Sequence, residues 1–269
     1  GRNVAEQADQ TCELDVATEC YEIEVDVSFA EEAKGLDYGM MRAENPGAKP
    51  VTIQNKGRYE IGYNVLARTQ KAKELFEFEP REGKVPPGGS ATFQAKFNPA
   101  GSLRNETKLH TNSCVAIDIV ETLTEKTEHT IPVRVDVDAV FSKYVLRPAN
   151  GLNFGPHVYD TESEPKTFEI LNKGEFDFDF EIAPYSGSSG SGEEDAKAKD
   201  KAKGGDLEVG NFVISPTTGN VKPGEAALVT VTFKAESERT FCEILGISIN
   251  GRDPADSPGG IPYEVKGES

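Results

Sequence analysis

One ordered set of short motifs occurs twice in this chain. Leu36-Asp37-Tyr38-Gly39, Pro50 through Asn55-Lys56-Gly57, Phe78-Glu79-Pro80 and Val85-Pro86-Pro87-Gly88 return further on. They reappear as Leu152-Asn153-Phe154-Gly155, Pro165 through Asn172-Lys173-Gly174, Ile214-Ser215-Pro216 and Val221-Lys222-Pro223-Gly224. A repeat of this kind means two copies of one structural unit. The copies begin at Leu36 and Leu152, 116 residues apart, which is the size of one small β-sandwich. What repeats is framework rather than chemistry, and a duplicated element rarely carries a single asymmetric active site.

Within each copy the apolar residues keep the period of a strand. Val133, Val135 and Val137 alternate with Arg134 and Asp136, and Phe176, Phe178 and Phe180 alternate with Asp177 and Asp179. Copy one, 36–140, is predicted to hold strands at 50–55, 59–66, 75–79, 91–97, 108–120 and 130–137. Copy two, 152–269, is predicted to hold them in the same order at 165–172, 175–182, 207–214, 226–233, 240–249 and 261–266. Turn residues separate them: Asn-Lys-Gly makes a tight reversal, and Pro-Gly ends one element before the next begins. The fold class is therefore all-β, with two tandem sandwiches.

Three segments fall outside this core pattern. Residues 1–35 hold ten acidic and two basic side chains, yet Tyr21, Ile23, Val25 and Val27 alternate there, as in the last strand of a preceding module or the first of copy one. Residues 141–151 include Phe141, Tyr144, Val145 and Leu146, too apolar for a free linker, so a short connector and stiff coupling are expected. Residues 183–206 run through Gly/Ser into acidic and then Lys/Ala sequence, which cannot bury apolar surface and reads as a flexible insertion, with a short helix an option at 197–203. Copy one carries the polar stretch 67–74 at the matching place. The unrepeated loops 67–74, 121–130 and 183–206 are the expected contact surfaces.

Charge and composition exclude several function classes. A net charge of -17 repels nucleic acid and anionic bilayers. No apolar run approaches the 18 or so residues of a membrane span, and no signal peptide is visible at the start. The chain begins Gly1-Arg2 without Met, as a piece of a longer protein would. Cys114 and Cys242 occupy matching late strands with no partner earlier in either copy, so both are expected as buried free thiols in a reducing compartment. Cys12 and Cys20 have neither the spacing nor the nearby His of a metal site.

Little material remains for catalysis. The three histidines, His110, His129 and His157, fall in no motif with Ser or Cys. The pairs Asp136/Asp138 and Asp177/Asp179 share a strand face without a calcium loop, so a solvated face is the expectation. Asn105-Glu106-Thr107 matches a glycosylation acceptor, which needs a secreted chain. No residue is assigned a catalytic, cofactor-binding or metal-binding role, and no cofactor is expected. The chain has no Trp and no Cys pair across the sandwich, so the immunoglobulin core hallmark is missing while the topology remains open.

Leu-[Asp/Asn]-[Phe/Tyr]-Gly, a strand ending Asn-Lys-Gly, and [Phe/Ile]-x-Pro with a later Pro-Gly together resemble the ASH-type domain, a relative of the major sperm protein fold. The likeness spans 36–140 and about 150–267; the insertion 183–206 and the polar stretch 121–130 depart from it. It implies two immunoglobulin-like seven-stranded sandwiches without a catalytic centre, as in proteins of cilia and centrosomes. The wording Ile53-Gln54-Asn55-Lys56-Gly57-Arg58-Tyr59-Glu60-Ile61 is similar to ciliary members of that class. That likeness implies a scaffold in the central-pair apparatus of the motile axoneme, with other axonemal proteins and neighbouring modules of the same chain as partners. Two other readings stay open: an intracellular peptide-binding adaptor of the major sperm protein type, and a secreted adhesion module.

Overall fold

Two β-sandwiches stand in series, and each repeated motif fastens one of them. The computed structural model describes residues 15–16, 21–99, 106–185, 205–257 and 259–269. The proposed helix at 197–203, Cys12, Cys20 and most of the insertion 183–206 lie outside the described residues.

Copy one comprises β1 (Val25–Phe29), β2 (Leu36–Arg42), β3 (Gly47–Asn55), β4 (Ile61–Ala67), α1 (Gln70–Leu75), β5 (Phe76–Glu79), β6 (Glu82–Val85), β7 (Ser90–Phe97), β8 (Thr107–Glu121) and β9 (Thr127–Val140). One sheet runs β1-β3-β7-β5 and the other β2-β9-β8-β4-β6. Copy two comprises β10 (Tyr144–Arg147), β11 (Leu152–Pro156), β12 (Thr161–Glu162), β13 (Lys166–Asn172), β14 (Phe178–Pro184), β15 (Leu207–Val209), β16 (Phe212–Ser215), β17 (Thr218–Val221), β18 (Ala226–Ala235), β19 (Thr240–Ile249) and β20 (Ile261–Glu268). Its sheets run β10-β13-β18-β16-β15, with β12 on β18, and β11-β20-β19-β14-β17. The shared topology extends the expected seven strands. A lead strand, β1 or β10, adds to one sheet, and a short strand, β6 or β17, adds to the other.

The motifs explain themselves as backbone devices. In Leu-[Asp/Asn]-[Phe/Tyr]-Gly, β2 pairs parallel with β9 and slips register between Asp37 and Gly39. Gly39 takes φ +62 at the slip, and its N–H donates to Asp37 Oδ1 at 2.8 Å. Asn153 and Gly155 repeat the device in β11 at 2.9 Å. A residue with a Cβ would be strained there, so the bulge selects glycine. The aromatic between them faces the core. Phe154 packs on Phe212 and Phe233, while Tyr38 packs on Phe76 and Phe97 and donates its hydroxyl to Ala95 O at 2.8 Å. That bond satisfies a buried polar group, and burial pushes the phenol's pKa up.

The Asn of Asn-Lys-Gly is buried in both copies and acts as a clamp. Asn172 donates from Nδ2 to Phe176 O at 2.9 Å and Val221 O at 2.8 Å, and accepts from Gly174 N at 2.8 Å. Asn55 makes the same set with Tyr59 O, Val85 O and Gly57 N. One amide thereby closes its own turn and ties it to the strand that leads into the Pro-Gly turn. A buried amide can be tolerated only when its donors and acceptor are filled this way.

The structure changes several expectations. Residues 67–74 are not simply a loop: α1 occupies much of the stretch, capped by Thr69, whose Oγ1 accepts from Ala72 N at 3.1 Å. Ala72 and Leu75, three apart, are buried by the sandwich, which is why so short a helix persists. The span 207–214 is broken into β15 and β16 by a turn at Gly210. Of the segment 141–151, Tyr144–Arg147 forms β10 against β13, so only 141–143 pass between the copies. The acidic lead contributes β1 to copy one through Val25–Phe29 against Val51–Asn55.

Candidate functional site at the module junction

The functional feature built most deliberately is the junction between the copies. β9 ends at Val140 and β10 starts at Tyr144, and two of the three residues between, Ser142 and Lys143, are bonded to copy two. Ser142 N donates to Gly251 O at 2.6 Å, and Lys143 O accepts from Lys173 N at 2.8 Å. Lys143 Nζ pairs back to Glu106 of copy one at 3.1 Å. Tyr144 donates its hydroxyl to Asp256, and burial together with that bond raises its pKa to about 12. A linker three residues long spans at most about 10 Å, so the two sandwiches must touch.

They touch through Arg42 at the end of β2. Its Nη2 donates to Asp177 Oδ1 at 2.7 Å and to Asp177 O at 2.8 Å, and its guanidinium carbon lies 5.5 Å from the Phe176 ring centre. Asp177 is held by Asn220 Nδ2 at 3.1 Å. The side chains are 27% and 51% exposed, so the ion pair is a partly solvated one and the aromatic platform adds to it. Beside it, Gly251 takes φ +68, a left-handed conformation that favours glycine, with the side-chain ends of Glu44 and Ser142 close by. Asp177, read from sequence as a solvated face, is instead the anchor. Its alternation predicted its exposure correctly, but the arginine comes from a strand 135 residues earlier.

At the opposite end of copy one the equivalent position opens into a groove of about 550 Å³. Ile119 and the half-buried Ile23 and Ile131 form its floor, and Glu121, Glu128 and His129 its wall. Tyr21 donates to Glu121 Oε1 at 2.6 Å, a bond that raises its pKa to about 12, and its ring lies 4.2 Å from that of Tyr59. Of the expected loop 121–130 only 122–126 form the turn of the β8–β9 hairpin, because 127–130 already pair as β9; the turn borders this groove, with Leu123 84% exposed.

The other residues singled out in the sequence do not come together. His110 lies on β8 between Asp136 Oδ1 at 3.1 Å and Asp138 Oδ1 at 3.2 Å; those bonds raise its pKa, Asp136 first. Asp136 is lowered in turn, chiefly by Arg134. His157 sets its ring edge against Phe233. Among the described residues, no group of three His, Cys, Asp or Glu is placed to hold a metal ion. Cys114 is buried, and burial raises its pKa. Cys242 is exposed, against the expectation of a buried thiol, because the pleat of β19 turns it outward to Glu264 Oε1 at 3.2 Å, which raises its pKa. Both shifts lower the thiolate fraction, and of the two only Cys242 is open to solvent.

Fold and junction together define a tandem immunoglobulin-like β-sandwich protein whose modules are fastened to each other. Over 94% of its length the chain is 28% identical to the hydrocephalus-inducing protein homolog (Hydin) of Homo sapiens and 26% identical to the hydrocephalus-inducing protein of Mus musculus. It spans 6% of the length of each of those relatives. No protein-family model matches the chain. Among solved structures, the ASH/PapD-like domain 7 of human CEP192 covers 48% of this chain and 86% of its own, at 14% identity and a TM-score of 0.34. The major sperm protein family member WR4 of C. elegans covers 48% of this chain and 98% of its own, at 10% identity and 0.27. At those scores the all-β reading rests on the strands themselves.

Proposed function

We propose that this tandem pair is a non-catalytic scaffold: a stiff spacer and docking platform in the axoneme of motile cilia, within the central-pair apparatus. The single observation that carries the mechanical half is the junction. A three-residue connector with two backbone bonds to copy two, a guanidinium seated on an aromatic ring and an aspartate, and a left-handed glycine beside Glu44 resist bending about the connector. Modules coupled this way transmit orientation along a chain, whereas modules on a loose linker only count residues. The ciliary half is supported by the resemblance to hydrocephalus-inducing protein across almost the whole chain.

The partners we propose are other axonemal proteins and neighbouring sandwich modules of the same long chain. The net charge of -17 favours basic or neutral protein faces over nucleic acid, an anionic membrane or the acidic surface of tubulin. Proximity labelling with the tagged chain in ciliated cells tests the reading. Axonemal proteins should dominate the labelled set; a set dominated by endomembrane or extracellular proteins overturns it.

A further inference from the structure

The strand register makes the two copies superposable by residue, and one consequence concerns the end of copy one that faces away from copy two. Asn55 and Asn172 are equivalent clamps, so Tyr59-Glu60 stands where Phe176-Asp177 stands in copy two. Glu24 O accepts from Lys56 N as Lys143 O accepts from Lys173 N, which places Glu24 at the position of Lys143. Ile119 faces Tyr63 as Ile249 faces Phe180, so Glu121 occupies the position of Gly251. The face that in copy two receives Arg42 therefore has its counterpart in copy one, an aromatic-acidic pair on which Tyr21 now lies, stacked on Tyr59 and bonded to Glu121, so that an incoming module must displace Tyr21.

We propose that the face formed by Tyr59, Glu60, Glu121 and Glu128 is a docking site for another β-sandwich module of this kind, one that carries a cationic side chain where copy one carries Arg42. Three observations argue for that occupant. The equivalent face of copy two is covered by such a module, through Arg42 on Phe176 and Asp177. The groove beside it joins an apolar floor to a wall bearing Glu121 and Glu128, complementary to a strand end bearing a cation. The present partner of Glu60 is weak: Lys84 Nζ at 3.5 Å, with the two side chains 45% and 68% exposed, a pair an incoming guanidinium displaces at small cost. The far end of copy two excludes a second copy of this chain as the occupant. Val158, three residues past Gly155 as Arg42 is three past Gly39, stands there 75% exposed and uncharged.

The inference rests on the stiff-spacer reading, and a three-module chain separates the two. Residues 1–143 joined to residues 25–269 place an additional copy one ahead of the full pair, with the native connector 141–143 in front of Val25. Spin labels on neighbouring modules, in a background without the native cysteines, report distance distributions across the new and the native junctions of one molecule. The new junction should be as narrow as the native one, and Glu60→Lys in the middle module should broaden it, with about a tenfold larger undocked fraction, while the native junction stays narrow. A broad new junction beside a narrow native one overturns the docking face and leaves the spacer standing. A narrow new junction that Glu60→Lys does not change overturns the role given to this face. Broad distributions at both overturn the spacer reading and the inference with it.

Discussion

Replacing Asn172 by alanine tests the claim that one amide fastens a whole sandwich. The side chain holds three backbone groups at 2.8–2.9 Å: the carbonyls of Phe176 and Val221 and the N–H of Gly174. Val221 O is buried in that contact, so orphaning it costs about 1–3 kcal/mol, while the two partly solvated groups cost roughly 0.5–1 kcal/mol each. Asn172→Ala is therefore expected to destabilise copy two by about 3 kcal/mol, on the order of 10 °C in Tm for a module of this size. Hydrogen exchange resolved by peptide is the suitable assay, because it reads each copy separately and the chain has no Trp for fluorescence. Protection should fall across β13, β14 and β17 and remain in copy one.

Asn172→Asp sharpens the same test. The carboxylate keeps an acceptor for Gly174 N but sets negative charge against two carbonyl oxygens, so its pKa in the fold lies above its unfolded value. Its folded state is penalised at neutral pH, and the penalty is relieved as pH falls through that raised pKa. Acid should therefore restore part of the stability lost by Asn172→Asp and none of that lost by Asn172→Ala. A loss under about 1 kcal/mol in the alanine variant, or no pH response in the aspartate variant, would refute the clamp.

Three further outcomes follow from the geometry. Arg42→Ala removes a partly exposed ion pair and a cation–π contact worth together about 1–2 kcal/mol, so the undocked fraction at the junction should rise about tenfold, seen as a broader inter-module distance with the melting of each module unchanged. His110 has a raised folded pKa, so its contribution is complete below about pH 6.5 and is lost as pH climbs through the folded value; copy one should be more stable near pH 5.5 than near pH 8.5 by an increment that His110→Asn abolishes, and an unchanged increment would count against the Asp136–His110–Asp138 bridge. A thiol reagent at neutral pH should modify Cys242 in the folded protein and Cys114 only after denaturation, read on the two peptides by mass spectrometry; equal rates would contradict their placement.

Much of the framework was legible because it is local. A strand's alternation is written in consecutive residues, as in Val133, Val135 and Val137, all buried, with Arg134 exposed. Turn glycines are equally local, since the positive φ of Gly88 and Gly224 follows from what the neighbouring Pro cannot do. Short elements were missed for the complementary reason. β6, β17 and β10 have too few residues to show a period, and they become strands only because a longer neighbour supplies hydrogen bonds. Cys242 was misjudged because equal rank in a repeat does not fix parity on the pleat, and parity alone decides which side of β19 meets water.

Period and turn chemistry act over a few residues, so two copies of one all-β unit, strands between fixed turns and a strongly acidic composition can be read directly from residue order. What the repeated motifs hold together is a matter of long-range contact. Asn172 reaches Val221 across 49 residues and Arg42 reaches Asp177 across 135, and nothing in a local pattern encodes a meeting at that distance. The tertiary structure also assigned the acidic lead to copy one, turned the expected connector into a strand, and placed an aromatic-acidic pair at both module ends. Those outcomes depend on which sheet edges lie free to be paired and which faces come within hydrogen-bond reach, and chain order does not set either one.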